Sequence, residues 1–169
     1  LGVEQPRVGL ANIGTEKTKG GPLQLEAYGL MEASSYHFIG NVEARDVPFG
    51  ACDVLVADGF TGNMLLKMYE GVAGAMMANI KGIFKQNAIT KLSALMIKNG
   101  LMDFKKRMDY TEFGGAPLLG ISKPVIKAHG SSNAKAFCSA IRQAKQFSET
   151  GVIENIANAV TKSAQASEA

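Results

Sequence analysis

The sequence has no tryptophan, two cysteines, two histidines and five prolines, and these scarcities remove several readings at once. Cys52 and Cys138 stand far apart and outside any C-x-x-C pattern, which disfavours a disulfide framework and a structural zinc site. Two buried, reduced thiols in a cytosolic protein are the expected arrangement. No apolar run is long enough to span a bilayer, and no charged-then-apolar leader opens the chain. The patterns G-x-x-x-x-G-K-[ST], G-x-G-x-x-G and G-x-S-x-G are all absent, so P-loop, dinucleotide-binding and serine-hydrolase chemistries lose support. There is no obvious pair of metal-binding aspartates and no internal repeat. Without an aromatic-rich basic stripe, the net charge of +3 does not imply nucleic acid.

What remains is a chain of 169 residues, 46% hydrophobic, enough for one core. It begins at Leu1 and enters the strand-like run Arg7-Val8-Gly9-Leu10 almost at once, so upstream sequence is expected to be missing. The charge is unevenly placed. Lys81, Lys85, Lys91, Lys98, Lys105, Lys106 and Arg107 face a single acid, Asp103, giving this segment +6 and the remainder −3. Such a field attracts acidic proteins or anionic lipid headgroups, although a solvated helical face has the same composition.

Periodicity predicts strands near Pro6–Ile13, His37–Gly40, Cys52–Ala57 and Pro124–Ala128. A first helix is expected with Pro22 in its opening turn and Leu23, Ala27, Leu30 and Met31 at helical spacing. A long helix follows Asp58-Gly59-Phe60-Thr61-Gly62-Asn63, with Leu65, Met68, Val72, Met76, Ile80 and Ile83 on one stripe. After a polar break at Gln86-Asn87, a second helix carrying Ala94, Ile97, Leu101, Phe104 and Met108 would complete a helical hairpin over 76–108. Gly114 to Gly120 reads as a glycine-rich connection. A later helix is expected to turn Phe137, Ile141, Ala144 and Phe147 inward, and a weaker one surrounds Ile153, Ile156 and Val160. Strands alternating with helices predict an α/β sheet covered on both faces.

Three predicted strands end in a glycine-bearing polar loop that feeds a helix start, the place where open α/β sheets bind ligands. Helix N-termini suit phosphate, because they carry unpaired N–H groups and partial positive charge. In the first loop, after Asn12 and Gly14, Lys19 and Gly20 precede a helix; Lys19 is either an anion or oxyanion partner or a solvated lysine. In the second, Asp58, Gly59 and Gly62 lead to Asn63 and Lys67, four apart on one helix face. The dull alternative is Thr61 as N-cap and Asp58 as turn former. In the third, His129, Gly130, Ser131, Ser132 and Asn133 end a strand; His129 is a candidate acid, base or thioester-binding group, and a serine N-cap is the alternative.

In this order the motifs resemble the PlsX family of phosphate acyltransferases. The likeness runs through Arg7–Gly14 with Thr18-Lys19-Gly20, and through Phe38–Glu43 with Arg45-Asp46. It continues in Asp53–Asn63 with Lys67 and Glu70-Gly71, in Tyr110 with Gly114–Gly120, and in His129–Ala134, covering about Pro6 to Phe147. Thr15 and Lys17 depart from a loop that is usually more acidic in the family, with Glu16 remaining.

The resemblance implies that residues 1–169 are the C-terminal half of one α/β domain, with 76–108 as an inserted, protruding hairpin. The implied fold is a three-layer α/β/α sandwich, related to isocitrate and isopropylmalate dehydrogenases and to phosphotransacetylase. The implied activity is attack of inorganic phosphate on a long-chain thioester of acyl carrier protein, giving an acyl phosphate for phospholipid synthesis. It also implies a cytoplasmic homodimer with peripheral membrane contact, and no metal or cofactor. Lys19, Asn63 and His129 are then the catalytic candidates, because the chemistry needs phosphate positioned and an oxyanion stabilised. Asn12, Gly14, Gly20, Asp58, Gly59, Gly62, Lys67, Gly130, Ser131, Ser132 and Asn133 are the substrate-binding candidates. The rivals are an acyl-CoA phosphotransacetylase, a non-catalytic lipid- or partner-binding lobe and, more distantly, a decarboxylating dehydrogenase.

Overall fold

The structure, a computed structural model, describes residues 3–107, 114–130 and 132–167. It divides into two compact units, Leu1–Ala78 and Asn79–Ala169.

In the first unit, β1 (Val8–Asn12) lies between β2 (Phe38–Glu43) and β3 (Val54–Val56), and both pairings are parallel. Helix α1 (Pro22–Glu32) makes the β1-to-β2 crossover and packs on both strands. Pro22 tolerates the first turn, where its missing N–H costs nothing. Leu10, Ala11 and Val42 from the sheet and Met31 from α1 form the small buried core. Tyr28 and Phe38 meet edge to face at 5.1 Å, fastening α1 to β2.

At the strand starts, Arg7 clamps β1 to the approach to β3. Its backbone N–H donates to Asp53 Oδ2 at 2.8 Å, and Nε and Nη2 donate to the same carboxylate at 3.0 Å each. The guanidinium also donates to the carbonyls of Gly50 and Ala51. These donors hold the Asp53 carboxyl at about 2, below its ordinary 3.8.

Helix α2 (Gly59–Phe84) begins directly after β3 and extends beyond the first unit. The second unit continues with α3 (Ala88–Met96), α4 (Lys98–Arg107), β4 (Gly115–Pro117), β5 (Ile126–Ala128), α5 (Ala134–Glu149) and α6 (Val152–Ser167). Strands β4 and β5 form an antiparallel pair, α5 packs on both, α6 packs on α5, and α3 contacts α4.

Several expectations are corrected here. The connection expected at 114–120 contains strand β4. The second helix of the expected hairpin is interrupted at Ile97 (φ −101°, ψ 9°), where Asn99 and Gly100 follow with poor helix propensity. On α2, Leu65 and Ile80 of the expected stripe are half-buried, as are Ala73 and Met77, while Met68, Val72, Met76 and Ile83 are exposed. On α5, Ala136 and Ala140 are buried and Ala144 and Phe147 are half-buried as expected, whereas Phe137 and Ile141 are exposed. Gly114 explains that choice. With φ +79°, it approaches so closely that a Cβ there would lie 2.4 Å from the Ala140 nitrogen. Only small side chains fit beneath β4, and they take the inner face. Both cysteines are free, but Cys52 is only half-buried, and Cys138 is exposed because it lies on the α5 face turned away from Ala136 and Ala140.

Candidate active site

Parallel pairing brings two of the three predicted loops to one sheet edge. Leu10 pairs with Val56; Asn12 ends β1 two residues further on, and Asp58 stands two residues past the end of β3. The loop carrying Lys19 and the start of α2, which carries Asn63, therefore both leave the sheet on its C-terminal side. The third loop follows β5 in the second unit.

The first loop is built by a chain of amide hydrogen bonds. Residues 16–19 form a turn in which Lys19 N–H donates to the Glu16 carbonyl at 3.1 Å. The Asn12 side-chain amide donates to the Lys19 carbonyl at 3.0 Å and to Asn41 Oδ1 at 3.1 Å, while Asn12 Oδ1 accepts from Ile13 N–H. Asn41, on β2, donates to the Glu16 carbonyl at 2.8 Å. From the outer side, Lys17 pairs with Glu32 and lies 5.7 Å from the Tyr28 ring centroid, tying the loop to α1.

The chain then turns through Gly20 at φ +97°, where a Cβ would press on Gln24 Cβ at 2.6 Å and on the Asn12 amide at 2.9 Å. Gly21 N–H donates to the Gln24 side chain and α1 begins. The Lys19 stem folds over buried Gly14, whose Cβ position would lie 3.0 Å from Lys19 Cγ. The ammonium lies 3.9 Å from Glu16 Oε1 in an exposed, loose ion pair. Such a pair contributes little stability and is readily exchanged for another anion. The local arrangement thus combines one cation, a helix N-terminus and a braced backbone turn, a set suited to phosphate.

In the second loop the carboxylate of Asp58 caps α2. Oδ1 accepts from the N–H groups of Phe60 and Thr61 at 3.0 and 2.9 Å, and Oδ2 accepts from Thr61 Oγ1 at 2.6 Å. These bonds, led by the Thr61 hydroxyl, lower the Asp58 pKa. Two first-turn donors are thereby committed to Asp58, so the cap is Asp58 and not Thr61. Asn63 is exposed on the same helix, and Lys67 forms a 2.9 Å ion pair with Glu70. A Cβ at Gly59 would meet open space, and one at Gly62 would make ordinary contact with Ala57 at 3.6 Å.

In the third loop the His129 carbonyl accepts from Ser132 N–H at 3.0 Å, and Asn133 Oδ1 caps α5 by accepting from Ala136 N–H at 3.0 Å. Asn133, not a serine, is therefore the cap. His129 is half-buried, Gly130 is exposed, and Ser131 lies outside the described residues. Ser132 Oγ is shielded from solvent with no hydrogen-bond partner among the described residues. Also in the second unit, Leu118, Ile121, Phe147, Ile153 and Val160 line an apolar cavity of about 410 Å³ that includes none of the candidate residues. Among the described residues, no three His, Cys, Asp or Glu side chains cluster as a metal site.

Asn41 is the residue that sequence reading missed. It lies inside a motif already noted for resemblance, one residue past the expected strand 37–40, in a β2 that is buried only at Asn41 and Val42.

The family model described as "Fatty acid synthesis protein" matches residues 1–155. The chain is 54% identical over 159 residues to a phosphate acyltransferase of Lysinibacillus sphaericus, covering 94% of this chain and 48% of that protein. It is 53% identical over 154 residues to one of Thermoanaerobacter pseudethanolicus, covering 91% and 46%, and 52% identical over 162 residues to one of Brevibacillus brevis, covering 96% and 48%. The chain therefore spans about half the length of the curated relatives it matches. With one family model running through all three loops, the chain belongs to the fatty acid synthesis protein family, the PlsX type that its motifs resemble.

Proposed function

We propose that the protein containing this chain transfers a long-chain acyl group from acyl carrier protein to inorganic phosphate. A phosphate oxygen attacks the thioester carbonyl, the C–O bond of the acyl phosphate forms, the C–S bond breaks, and the carrier leaves as its thiolate. Phosphate is already an anionic nucleophile near neutral pH, so the demands are positioning and charge stabilisation. The observation that carries this proposal is the match, 54% identical, of nearly the whole chain to a phosphate acyltransferase. The braced turn presenting Lys19 beside the start of α1 supports it.

Lys19, Asn63 and His129 are the proposed catalytic groups. Lys19 neutralises phosphate, and the Asn63 amide and His129 are donors for the oxyanion or the departing thiolate. Asn12, Gly14 and Gly20 shape the Lys19 loop, while Asp58, Gly59, Gly62 and Lys67 set the start of α2. Gly130, Ser131, Ser132 and Asn133 form the third loop, where the shielded Ser132 hydroxyl offers one further donor. No metal or cofactor takes part in the proposed chemistry.

The proposal extends to the architecture and partners. The fold is an α/β/α sandwich of the isocitrate dehydrogenase type with 76–108 as a hairpin, in a cytoplasmic homodimer. Lys81, Lys85, Lys91 and Lys98 are exposed beside exposed Ile89, Leu92, Leu95 and Met96. That combination fits an acidic carrier protein or an anionic membrane surface together with a second copy.

The test is product analysis with the full-length protein, offered acyl carrier protein and coenzyme A thioesters side by side. Phosphate-dependent acyl phosphate from the carrier thioester, retained in EDTA, is the expected result. Preference for the coenzyme A thioester favours the phosphotransacetylase alternative, and loss in EDTA with recovery on adding a divalent ion overturns the metal-free mechanism.

A further inference from the structure

We infer that Asn41 is a positioning residue for Lys19. Asn41 is the one buried polar residue among the described residues, 6% exposed, in a strand whose next residue, Val42, belongs to the core. A polar side chain so placed is retained at a cost unless it is hydrogen-bonded. Its side-chain hydrogen bonds both go to the Lys19 loop and its brace. Nδ2 donates to the Glu16 carbonyl at 2.8 Å, the same carbonyl that accepts from Lys19 N–H and closes the turn. Oδ1 accepts at 3.1 Å from Asn12, whose amide also holds the Lys19 carbonyl.

One rigid amide on β2 thus fixes both ends of the 16–19 turn. The sheet positions that amide, because Asn41 pairs with Leu10 in the parallel ladder. Removing it takes one donor from the Glu16 carbonyl and one acceptor from the Asn12 amide, and the Lys19 backbone is then held by fewer fixed points. The ammonium would sample wider positions at the site where phosphate must be held. Such a loss registers in phosphate binding before it registers in the acyl donor. This inference rests on the proposed phosphate chemistry at Lys19.

The experiment is a double-mutant cycle in the full-length protein with Asn41→Ala, Lys19→Ala and the pair, measuring KM for phosphate, KM for the acyl donor and melting temperature. Asn41→Ala is expected to raise the phosphate KM about tenfold or more, leave the acyl-donor KM within about twofold, and add nothing further once Lys19 is alanine. Asn41→Asp serves if the alanine variant does not fold. It keeps an acceptor for Asn12 but loses the donor to Glu16 until protonated, so its activity should recover relative to wild type as pH falls. Effects that add fully in the pair, or equal shifts in both KM values, would overturn the role of Asn41 while leaving the proposed function standing. A wild-type protein without phosphate-dependent acyl transfer would overturn both.

Discussion

The loop between β1 and α1 and the helical stretch from α2 to α4 were built on opposite plans. In the loop, polar groups of Asn12, Glu16, Lys19, Gly21 and Asn41 have identified partners inside the same few residues. Along α2, α3 and the described side chains of α4 no residue is buried, and large apolar side chains such as Phe60, Met68, Leu92 and Met96 lie open beside lysines. Hydrogen-bond geometry fixes a position to within a few tenths of an ångström. A broad apolar and basic surface gives area and charge without fixing any one atom. The first plan suits chemistry and the second, beyond the start of α2 that carries Asn63, suits association. Substitutions in the two regions should therefore fail in different ways.

The largest expected effect lies at the three candidate catalytic residues. Lys19→Ala, Asn63→Ala and His129→Ala should each lower turnover by about 10²–10³, the usual cost of one lost oxyanion donor, with melting temperatures near wild type. Wild-type turnover in all three would remove these residues from the site. Next come the close-approach glycines. Gly114→Ala places a Cβ 2.4 Å from the Ala140 nitrogen at φ +79°, and Gly20→Ala crowds Gln24 and the Asn12 amide at φ +97°. Each should cost about 1–3 kcal/mol in denaturant unfolding. Gly20→Ala should also impair phosphate use, while an unchanged midpoint in either would mean that the close approach relaxes freely.

The helical stretch should respond to charge and salt. Reversing Lys81, Lys85, Lys105 and Lys106 should weaken binding to anionic vesicles or acyl carrier protein, and wild-type binding should fall as salt rises. Binding indifferent to both, or a strictly monomeric protein in solution, would contradict an association role for the helical stretch.

The smallest effect belongs to the clamp that holds β1 to the start of β3. Asp53 has its pKa depressed to about 2 from 3.8, so its contribution to stability is present above about pH 4. That contribution is lost as pH falls through about 2. Asp53→Asn should flatten the stability curve within that window and leave catalysis in place. Curves that fall in parallel through the window would contradict the clamp.

Much of the first unit was legible because its signals are local. Apolar runs marked β1, β2 and β3, Pro22 marked the first turn of α1, and glycines marked the loops. The second unit was harder to read, since its packing is decided by approach distance. Phe137 and Ile141 gave the stronger apolar period on α5, but Gly114 admits only Ala136 and Ala140 beneath β4. Strand β4 was hidden by its own glycine-rich sequence. The site was legible as residue types: the Lys19 and Asn63 loops do share a sheet edge. The assignments inside it were not. Whether Asp58 caps a helix or meets a ligand depends on the N–H and hydroxyl donors of Phe60 and Thr61, and whether Asn41 is a core misfit or a brace depends on the Glu16 carbonyl and the Asn12 amide.

The proposed role of the Lys19 loop, holding phosphate for acyl transfer, is tested by following acyl phosphate formation from acyl carrier protein thioester by the full-length protein as phosphate is varied, beside its Lys19→Ala variant. Saturable, phosphate-dependent product in the wild type and a loss of about 10²–10³ in the folded variant are the predicted result. Acyl transfer that is independent of phosphate, or untouched by Lys19→Ala, would contradict the account.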